Sequence, residues 1–355
     1  MTPASTLPVW DPAVDDRFVC RSVRQVAPGT CTVVLAPMTP GAVRFDAGQF
    51  VTIDFDVDGG TVGRSYTIAS PPTRPDRLAI TVRRTTGGAV SPWLHGGGMA
   101  PGQVVRVGAP QGDFTMQAHP AQRYLLLTAG SGITPALSMV RRLYDLAEDC
   151  DVVVVHAQRT SEEVPYRREL ETIADLLPGI RLHLLCSRAE TDSGHVVAGR
   201  LSQPVLAALV PDAADREVLV CGPAGFLVDA RAICAAVGCA ADRVHHELFT
   251  LQGSSPPAGD PAGTSPAAEG FTVEFRESGV TVASSAEGTL LDAASRAGLT
   301  LPSSCAQGLC GTCKTTLVAG EVDMQHAGGI RPREIAAGKV LLCCSRPLTD
   351  VVVAC

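Results

Sequence analysis

Four cysteines near the carboxyl terminus form the most specific chemical pattern in the sequence. Cys305, Cys310 and Cys313 follow the spacing C-x4-C-x2-C, and Cys343 lies far downstream. Four thiolates, three of them on one loop, suit the two irons of a [2Fe–2S] cluster. Zinc sites usually pair two C-x2-C knuckles, so a zinc site or four buried structural cysteines are the weaker alternatives. The spacing therefore predicts an iron–sulfur cluster.

A second pattern suits a flat, phosphate-bearing cofactor. The stretch Arg64-Ser65-Tyr66-Thr67 lies on an expected strand, and Gly87–Ser91 opens an expected short helix. Tyr66 offers an aromatic face for stacking, Arg64 offers positive charge, and the helix start offers backbone N–H groups to a phosphate. Either stretch alone is more typical of an ordinary strand or turn. The two stretches together predict a flavin site.

A glycine-rich turn between an apolar strand and a helix predicts a nucleotide-binding site. Gly130, Gly132, Thr134 and Pro135 belong to the run Thr128–Pro135. Glycines allow the backbone to approach a pyrophosphate, and the helix dipole favours its negative charge. The run predicts Thr134 as the helix N-cap and Pro135 as the first helical residue. An ordinary strand–helix turn is the alternative.

A second turn follows another apolar strand. Cys221-Gly222-Pro223 lies where the carboxyl ends of parallel strands form a crevice. A buried structural thiol is the plain alternative for Cys221.

These motifs, in this order, resemble the ferredoxin–NADP reductase superfamily followed by a plant-type ferredoxin. The ferredoxin resemblance covers about the last quarter of the chain and rests on Cys305–Cys313, Lys314, Gly320–Val322, Glu334 and Gly338–Cys343. It implies that Cys343, and not the adjacent Cys344, is the fourth cluster ligand.

The reductase resemblance implies a role for each flavin and nicotinamide motif. It implies that Arg64, Ser65, Tyr66 and Thr67 bind the flavin, and that Gly88, Val90 and Ser91 bind its pyrophosphate, which favours FAD over FMN. Cys221, with Gly222 and Pro223, would place the nicotinamide ring beside the flavin that Tyr66 contacts, and Phe249 would close the flavin site. The nicotinamide choice is contested, because Glu163 suits NADH whereas Arg188 suits the 2′-phosphate of NADPH. Of the two nucleotides, NADH is favoured.

The elements that must position these motifs suggest three domains of different class. Short alternating runs up to Gly108 predict an antiparallel β-barrel, and later apolar strands that alternate with helices predict a Rossmann-like parallel sheet. A final segment of two strands, a helix and the cysteine loop implies a β-grasp ferredoxin. The expected boundaries are 1–117, 118–251, a flexible linker at 252–268, and 269–355.

Composition limits the possible partners and location. The chain has 355 residues, 13 cysteines and a formal net charge of −7. This charge argues against nucleic-acid binding, and no apolar run is long enough to cross a bilayer. We find no export signal at Met1–Trp10, so we expect a cytoplasmic protein with reduced thiols and a metal site. We also expect a monomer.

The modules together predict an electron-transfer chain. NAD(P)H would reduce FAD, and single electrons would leave through the cluster to a partner protein. The chain resembles reductase components of Rieske-type oxygenases, such as quaternary-amine demethylases, and this function is our first expectation. A hybrid-cluster protein reductase is the alternative. A non-enzymatic ferredoxin-type carrier or docking module is the alternative of another class. The sequence shows no oxygenase-type His pair with a carboxylate.

Overall fold

The computed structural model describes residues 7–248, 270–285, 287–299, 301–303, 308, 311, 313–326, 329–330 and 332–355. The chain divides into two compact units, Met1–Gly253 and Ser254–Cys355. The expected linker, 252–268, lies outside the described residues, and the domain boundaries within the first unit stay a prediction.

The first unit begins with an antiparallel barrel. Its elements are β1 (Arg17–Ala27), β2 (Thr30–Pro37), β3 (Phe50–Val57), β4 (Gly60–Thr67), β5 (Leu78–Arg83), α1 (Val90–His95) and β6 (Val104–Val107). The strand order is β4-β3-β6-β1-β2-β5. A bridge between Ile68 and Ile80 joins the two ends and closes the barrel. Alternate side chains point inward, so residues such as Phe18, Ile53 and Phe55 form a core without solvent exposure.

A parallel sheet with helices on its faces completes the first unit. Its strands are β7 (Arg123–Ala129), β8 (Asp151–Gln158), β9 (Ile180–Cys186), β10 (Val196–Ala198), β11 (Glu217–Gly222) and β12 (Val244–Leu248). Its helices are α2 (Ile133–Leu146), α3 (Arg167–Leu176), α4 (Gln203–Leu209) and α5 (Ala224–Ala236). The strand order β10-β9-β8-β7-β11-β12 reverses direction beside β7. Ligands of such sheets bind at the carboxyl ends of the strands at this reversal.

Buried polar contacts join the barrel to the parallel sheet. The Arg141 guanidinium lies 4.4 Å from the centre of the Tyr166 ring and donates to the Ala69 carbonyl at 2.8 Å. It also pairs with Glu169 at 2.7 Å. The Tyr166 hydroxyl is hydrogen-bonded to Thr32 of the barrel. Through these contacts, Arg141 and Tyr166 join the barrel, which carries the flavin motif, to the parallel sheet, which carries the nicotinamide motifs.

The second unit is built around a mixed five-stranded sheet. Its elements are β13 (Gly270–Phe275), β14 (Val280–Ser285), α6 (Leu290–Arg296), β15 (Lys314–Ala319), β16 (Val322–Met324), α7 (Pro332–Ala336), β17 (Lys339–Leu341), β18 (Ser345–Pro347) and β19 (Val351–Ala354). The sheet order is β14-β13-β19-β15-β17, with β16 and β18 as a separate pair. Thr289 and Asp292 form a capping box that starts α6.

The fold class predicted from the sequence is confirmed. The predicted antiparallel strands of the barrel occur, and Arg64–Thr67 lies on a strand as expected, at the end of β4, which begins at Gly60. The prediction of two strands and a helix for the last segment was incomplete, because the five strands β15–β19 are short and carry little periodic signal. Among the described residues, no helix is long and apolar enough to cross a membrane.

Candidate redox site

The predicted flavin strand lies on β4, which pairs with β3 through Val51 and Tyr66. The Tyr66 ring meets Phe55 edge to face, with centroids 6.1 Å apart. Burial raises the pKa of the Tyr66 hydroxyl, so Tyr66 is a neutral aromatic surface at physiological pH. The Thr67 hydroxyl is buried and has no hydrogen-bond partner among the described residues. A buried hydroxyl without a partner fits a cofactor whose polar atoms complete the bond.

The turn before α1 is stabilised by the hydroxyl group of Ser91. Ser91 Oγ accepts a hydrogen bond from the Thr85 backbone N–H at 3.1 Å, and a β-carbon at position 88 would lie 3.2 Å from that oxygen. Gly87 adopts a φ of 79°, in the left-handed region. The helix itself begins at Val90. The geometry fits a close backbone approach to a phosphate, and contact through Gly88, Val90 and Ser91 stays a prediction.

The two nucleotide turns, after β7 and β11, touch one another. A β-carbon at position 132 would lie 2.3 Å from the Cys221 carbonyl oxygen, so only glycine fits there. Gly130, with a φ of 56°, faces the barrel residue Arg83, whose Nη1 would lie 3.3 Å from a β-carbon at position 130. Arg83 was missed in the sequence analysis. Its basic side chain at the end of an apolar strand is the signal that could have drawn attention to it.

The predicted start of α2 was wrong by two residues. The helix begins at Ile133, with Gly132 as its N-cap, and a 3-10 turn at Gly130–Gly132 leads directly into it. Thr134 Oγ1 instead donates to the Ser131 carbonyl at 3.1 Å. The 3-10 turn starts the helical conformation earlier in the chain than Thr134, the residue expected to cap the helix. Pro135 therefore falls within the first turn of α2, where proline is still tolerated.

A row of polar residues crosses four strands of the parallel sheet. Glu247 is paired with Cys221, Cys221 with Thr128, and Thr128 with His156. His156 Nδ1 is hydrogen-bonded to Thr128 Oγ1 at 2.9 Å. Register partners project on the same face of a sheet, so these four side chains form one row. The row lies near the carboxyl ends of β7 and β11, just before the two nucleotide turns.

Burial controls the charge of this row. It raises the pKa of the Cys221 thiol well above its usual value, with a smaller effect from Glu247. It also raises the pKa of Glu247 to about 8, reinforced by Asp113, and lowers that of His156 to about 3. Cys221 is therefore a neutral thiol, which is not suited to nucleophilic attack, and its placement of the nicotinamide ring stays a prediction.

Glu163 and the Gly87 turn line one cleft of about 470 Å³, together with Arg83 and Arg84. Glu163 Oε2 is buried and has no hydrogen-bond partner within the described part of the chain. Arg188 is exposed, and its backbone N–H donates to the Arg159 carbonyl at 2.9 Å. In this cleft, the Glu163 carboxylate can accept a hydrogen bond from a ribose hydroxyl. These positions of Glu163 and Arg188 do not decide between NADH and NADPH.

Two of the four predicted cluster ligands are described, in the second unit. The Cys343 backbone N–H donates to Cys313 Sγ at 3.4 Å, and the Gly308 N–H donates to Cys343 Sγ at 3.3 Å. N–H groups aimed at sulfur suit thiolate ligands. Cys305, Cys310 and the predicted flavin contact Phe249 lie outside the described residues.

Comparison with known proteins assigns each module. Residues 21–116 match the oxidoreductase FAD-binding domain, 126–232 the oxidoreductase NAD-binding domain, and 273–348 the 2Fe-2S iron-sulfur cluster binding domain. The glycine betaine monooxygenase reductase subunit of Pseudomonas aeruginosa is 38% identical, over 87% of this chain and 87% of its own length. The chain belongs to this family of flavin and iron–sulfur reductases. The reductase therefore uses FAD, a nicotinamide nucleotide and a [2Fe–2S] cluster, as the sequence predicted.

Two further proteins are similar to the reductase along nearly its whole length. The reductase is 35% identical to the stachydrine N-demethylase reductase subunit of Rhizobium meliloti, over 99% of both chains. Its fold is similar to that of phthalate dioxygenase reductase, with a TM-score of 0.58, 24% identity, and coverage of 98% of this chain and 100% of that one.

Proposed function

We propose that this reductase supplies electrons to a Rieske-type monooxygenase that hydroxylates or demethylates a quaternary amine. The observation that carries the proposal is the similarity, along nearly the whole chain, to reductase subunits named for glycine betaine monooxygenation and stachydrine demethylation. The acceptor binds as a separate protein in this proposal. A monomeric reductase in the cytoplasm is part of the same proposal.

The residues of the first unit suit the reduction step. When bound, FAD accepts two electrons as hydride and releases them singly, which matches the one-electron capacity of the cluster. Tyr66 supplies a neutral aromatic face, and the Gly132–Cys221 contact holds the two nucleotide turns at a fixed spacing. This pre-formed spacing favours transfer, because correct orientation of the donor removes part of the entropic barrier.

Reconstitution with purified candidate acceptors tests the proposal. The reductase, NADH and a Rieske-type monooxygenase are combined with glycine betaine or stachydrine, and formaldehyde and demethylated product are measured. The proposal predicts product formation that depends on all three components and on the amine. A reductase that reduces a hybrid-cluster protein efficiently, but supports no amine oxidation with any Rieske-type partner, would contradict it.

A further inference from the structure

Tyr166, the residue before α3, adopts a backbone conformation that is unfavourable for residues with a side chain. Its φ and ψ are 58° and 27°, in the left-handed region. In that region the β-carbon of an L-residue lies too close to a backbone carbonyl oxygen. A residue stays in such a conformation only where its surroundings hold it, and such residues cluster at ligand-binding segments. The contacts of Tyr166 therefore point to a constraint on the loop that it ends.

The side chain of Tyr166 reaches from the parallel sheet into the barrel. Its ring lies 4.4 Å from the Arg141 guanidinium, which donates to both carboxylate oxygens of Glu169 at 2.7 Å. Its hydroxyl is hydrogen-bonded to Thr32 Oγ1 of β2, which is also hydrogen-bonded to Thr81 Oγ1 of β5 at 2.9 Å. Thr32 is only 1% exposed, so solvent does not compete for these bonds. Tyr166 therefore bridges the parallel sheet and the barrel through buried contacts.

The loop that ends at Tyr166 carries Glu163. A 3-10 turn, Ser161–Glu163, precedes Val164, which is only 2% exposed and packs in the core of the parallel sheet. The Glu163 carbonyl accepts a hydrogen bond from Gln158 Nε2 at 3.2 Å. Because Val164 is buried and Tyr166 is bonded to the barrel, the backbone after Glu163 has little freedom to move.

The barrel strand that Tyr166 contacts also lines the cleft that contains Glu163. Thr30 of β2 and Arg83 of β5 belong to this lining and are register partners. Thr32 lies two residues after Thr30, and side chains two residues apart project from the same face of a strand. The hydrogen bond from Tyr166 to Thr32 therefore fixes the Glu163 loop relative to the barrel side of the cleft.

We propose that Tyr166 is a positioning residue for nucleotide choice. Its bond to Thr32 holds the Glu163 carboxylate in the cleft, where the carboxylate accepts a ribose hydroxyl and disfavours a 2′-phosphate. Tyr166 acts through Glu163 and takes no part in hydride transfer. This inference rests on the predicted role of Glu163 and is independent of the protein that accepts the electrons, so it is tested separately from the proposed function.

Steady-state kinetics of the holoprotein, with ferricyanide as acceptor, test this role. Values of kcat and KM are measured with NADH and with NADPH, and flavin content and melting temperature are recorded for each variant. Tyr166→Phe removes the hydroxyl but keeps the ring beside Arg141, whereas Thr32→Val removes the partner hydroxyl from the barrel. Thr32→Ser keeps a hydroxyl at this position. Tyr144→Phe is the matched control, because Tyr144 is 40% exposed on α2.

We expect Tyr166→Phe and Thr32→Val to lower the ratio of kcat/KM for NADH to that for NADPH by about fivefold. This is part of the change of about tenfold expected for Glu163→Gln. The change should appear in KM, because the loss of binding that is equal in the ground state and the transition state leaves kcat unaltered. Thr32→Ser and Tyr144→Phe should keep the wild-type ratio.

The double variant Tyr166→Phe/Glu163→Gln decides whether Tyr166 acts through Glu163. If it does, Tyr166→Phe changes the ratio in wild type but adds nothing in the Glu163→Gln background, because both substitutions remove the same interaction. A merely structural role would lower the melting temperature or the flavin content and leave the ratio unchanged. The proposal is overturned by an unchanged ratio in Tyr166→Phe and Thr32→Val, or by an equal change with and without Glu163→Gln.

Discussion

Gly132 and Cys221 are in direct backbone contact, since a β-carbon on residue 132 would lie 2.3 Å from the Cys221 carbonyl oxygen. The two residues belong to turns that follow neighbouring parallel strands, β7 and β11. Their contact brings the predicted pyrophosphate turn and the predicted nicotinamide turn together at the point where the strand order reverses. The contact therefore fixes the width of the nucleotide crevice.

Replacing Gly132 by alanine should open this contact. The obstructing atom is backbone, so β7 and β11 must shift, and small displacements of a bound reactant are costly to the rate. We expect Gly132→Ala to lower kcat/KM for NADH by about 100-fold, measured as ferricyanide reduction. The control is Gly225→Ala, because a β-carbon at position 225 has open space. Equal activity of the two variants would show that the close approach is not needed.

Glu163 should influence the choice of nucleotide. Its unsatisfied Oε2 can accept a ribose hydroxyl and would repel a 2′-phosphate. Glu163→Gln should lower the ratio of kcat/KM for NADH to that for NADPH by about tenfold, the effect of one charge-assisted hydrogen bond. Arg188→Ala should raise the ratio. The exposed neighbour variant Glu162→Gln is the control, and a change there without one in Glu163→Gln would refute this assignment.

Substitution of Cys343 and substitution of Cys344 should have different effects on cluster content. Cys343 Sγ accepts the Gly308 N–H, whereas a β-carbon at position 308 would lie 2.7 Å from Cys344 Sγ. Cys343→Ser should therefore lose most of the [2Fe–2S] absorbance and iron, while Cys344→Ser keeps both, because a ligand thiolate is required only at position 343. Flavin content serves as the folding control. Retention of the cluster in Cys343→Ser and its loss in Cys344→Ser would reverse the assignment.

His156 should make stability dependent on pH. Its folded pKa of about 3 lies below the ordinary value of 6.5, so only the unfolded chain takes up a proton between these values. Stability is therefore lost as pH falls from 6.5 towards 3, by about 2 kcal/mol at pH 5. His156→Asn, which cannot titrate, should show a smaller fall in melting temperature than wild type between pH 7 and pH 5. The melting temperature is measured by the release of flavin on unfolding. His195→Asn should behave like wild type, and parallel pH profiles of wild type and His156→Asn would contradict this prediction.

Much of this architecture was predictable because it depends on local patterns. The apolar runs that form β7 and β11 and the glycines beside them specify a strand–turn–helix unit without reference to the rest of the chain. The C-x4-C-x2-C spacing specifies a cluster loop in the same way. The start of α2 was less predictable, since a 3-10 turn displaced the cap that Thr134 suggested.

The remaining features depend on contacts between distant segments. His156 is a histidine in an apolar strand, and only the register of β8 against β7 shows that it pairs with Thr128. Arg83 lies in the barrel, and only the packing of the barrel on the parallel sheet brings it to Gly130. A sequence pattern does not contain such register and packing information, so these residues emerge only from the structure.

Anaerobic reduction of the holoprotein by NADH, followed in a rapid-mixing spectrometer, tests the electron path most directly. Flavin absorbance and the electron paramagnetic resonance signal of the reduced cluster are recorded together. We expect that flavin bleaching comes first and that a one-electron cluster signal follows, with both events slowed in Gly132→Ala. A protein that holds its flavin and cluster but is reduced by neither NADH nor NADPH would contradict this electron path and favour a ferredoxin-type carrier.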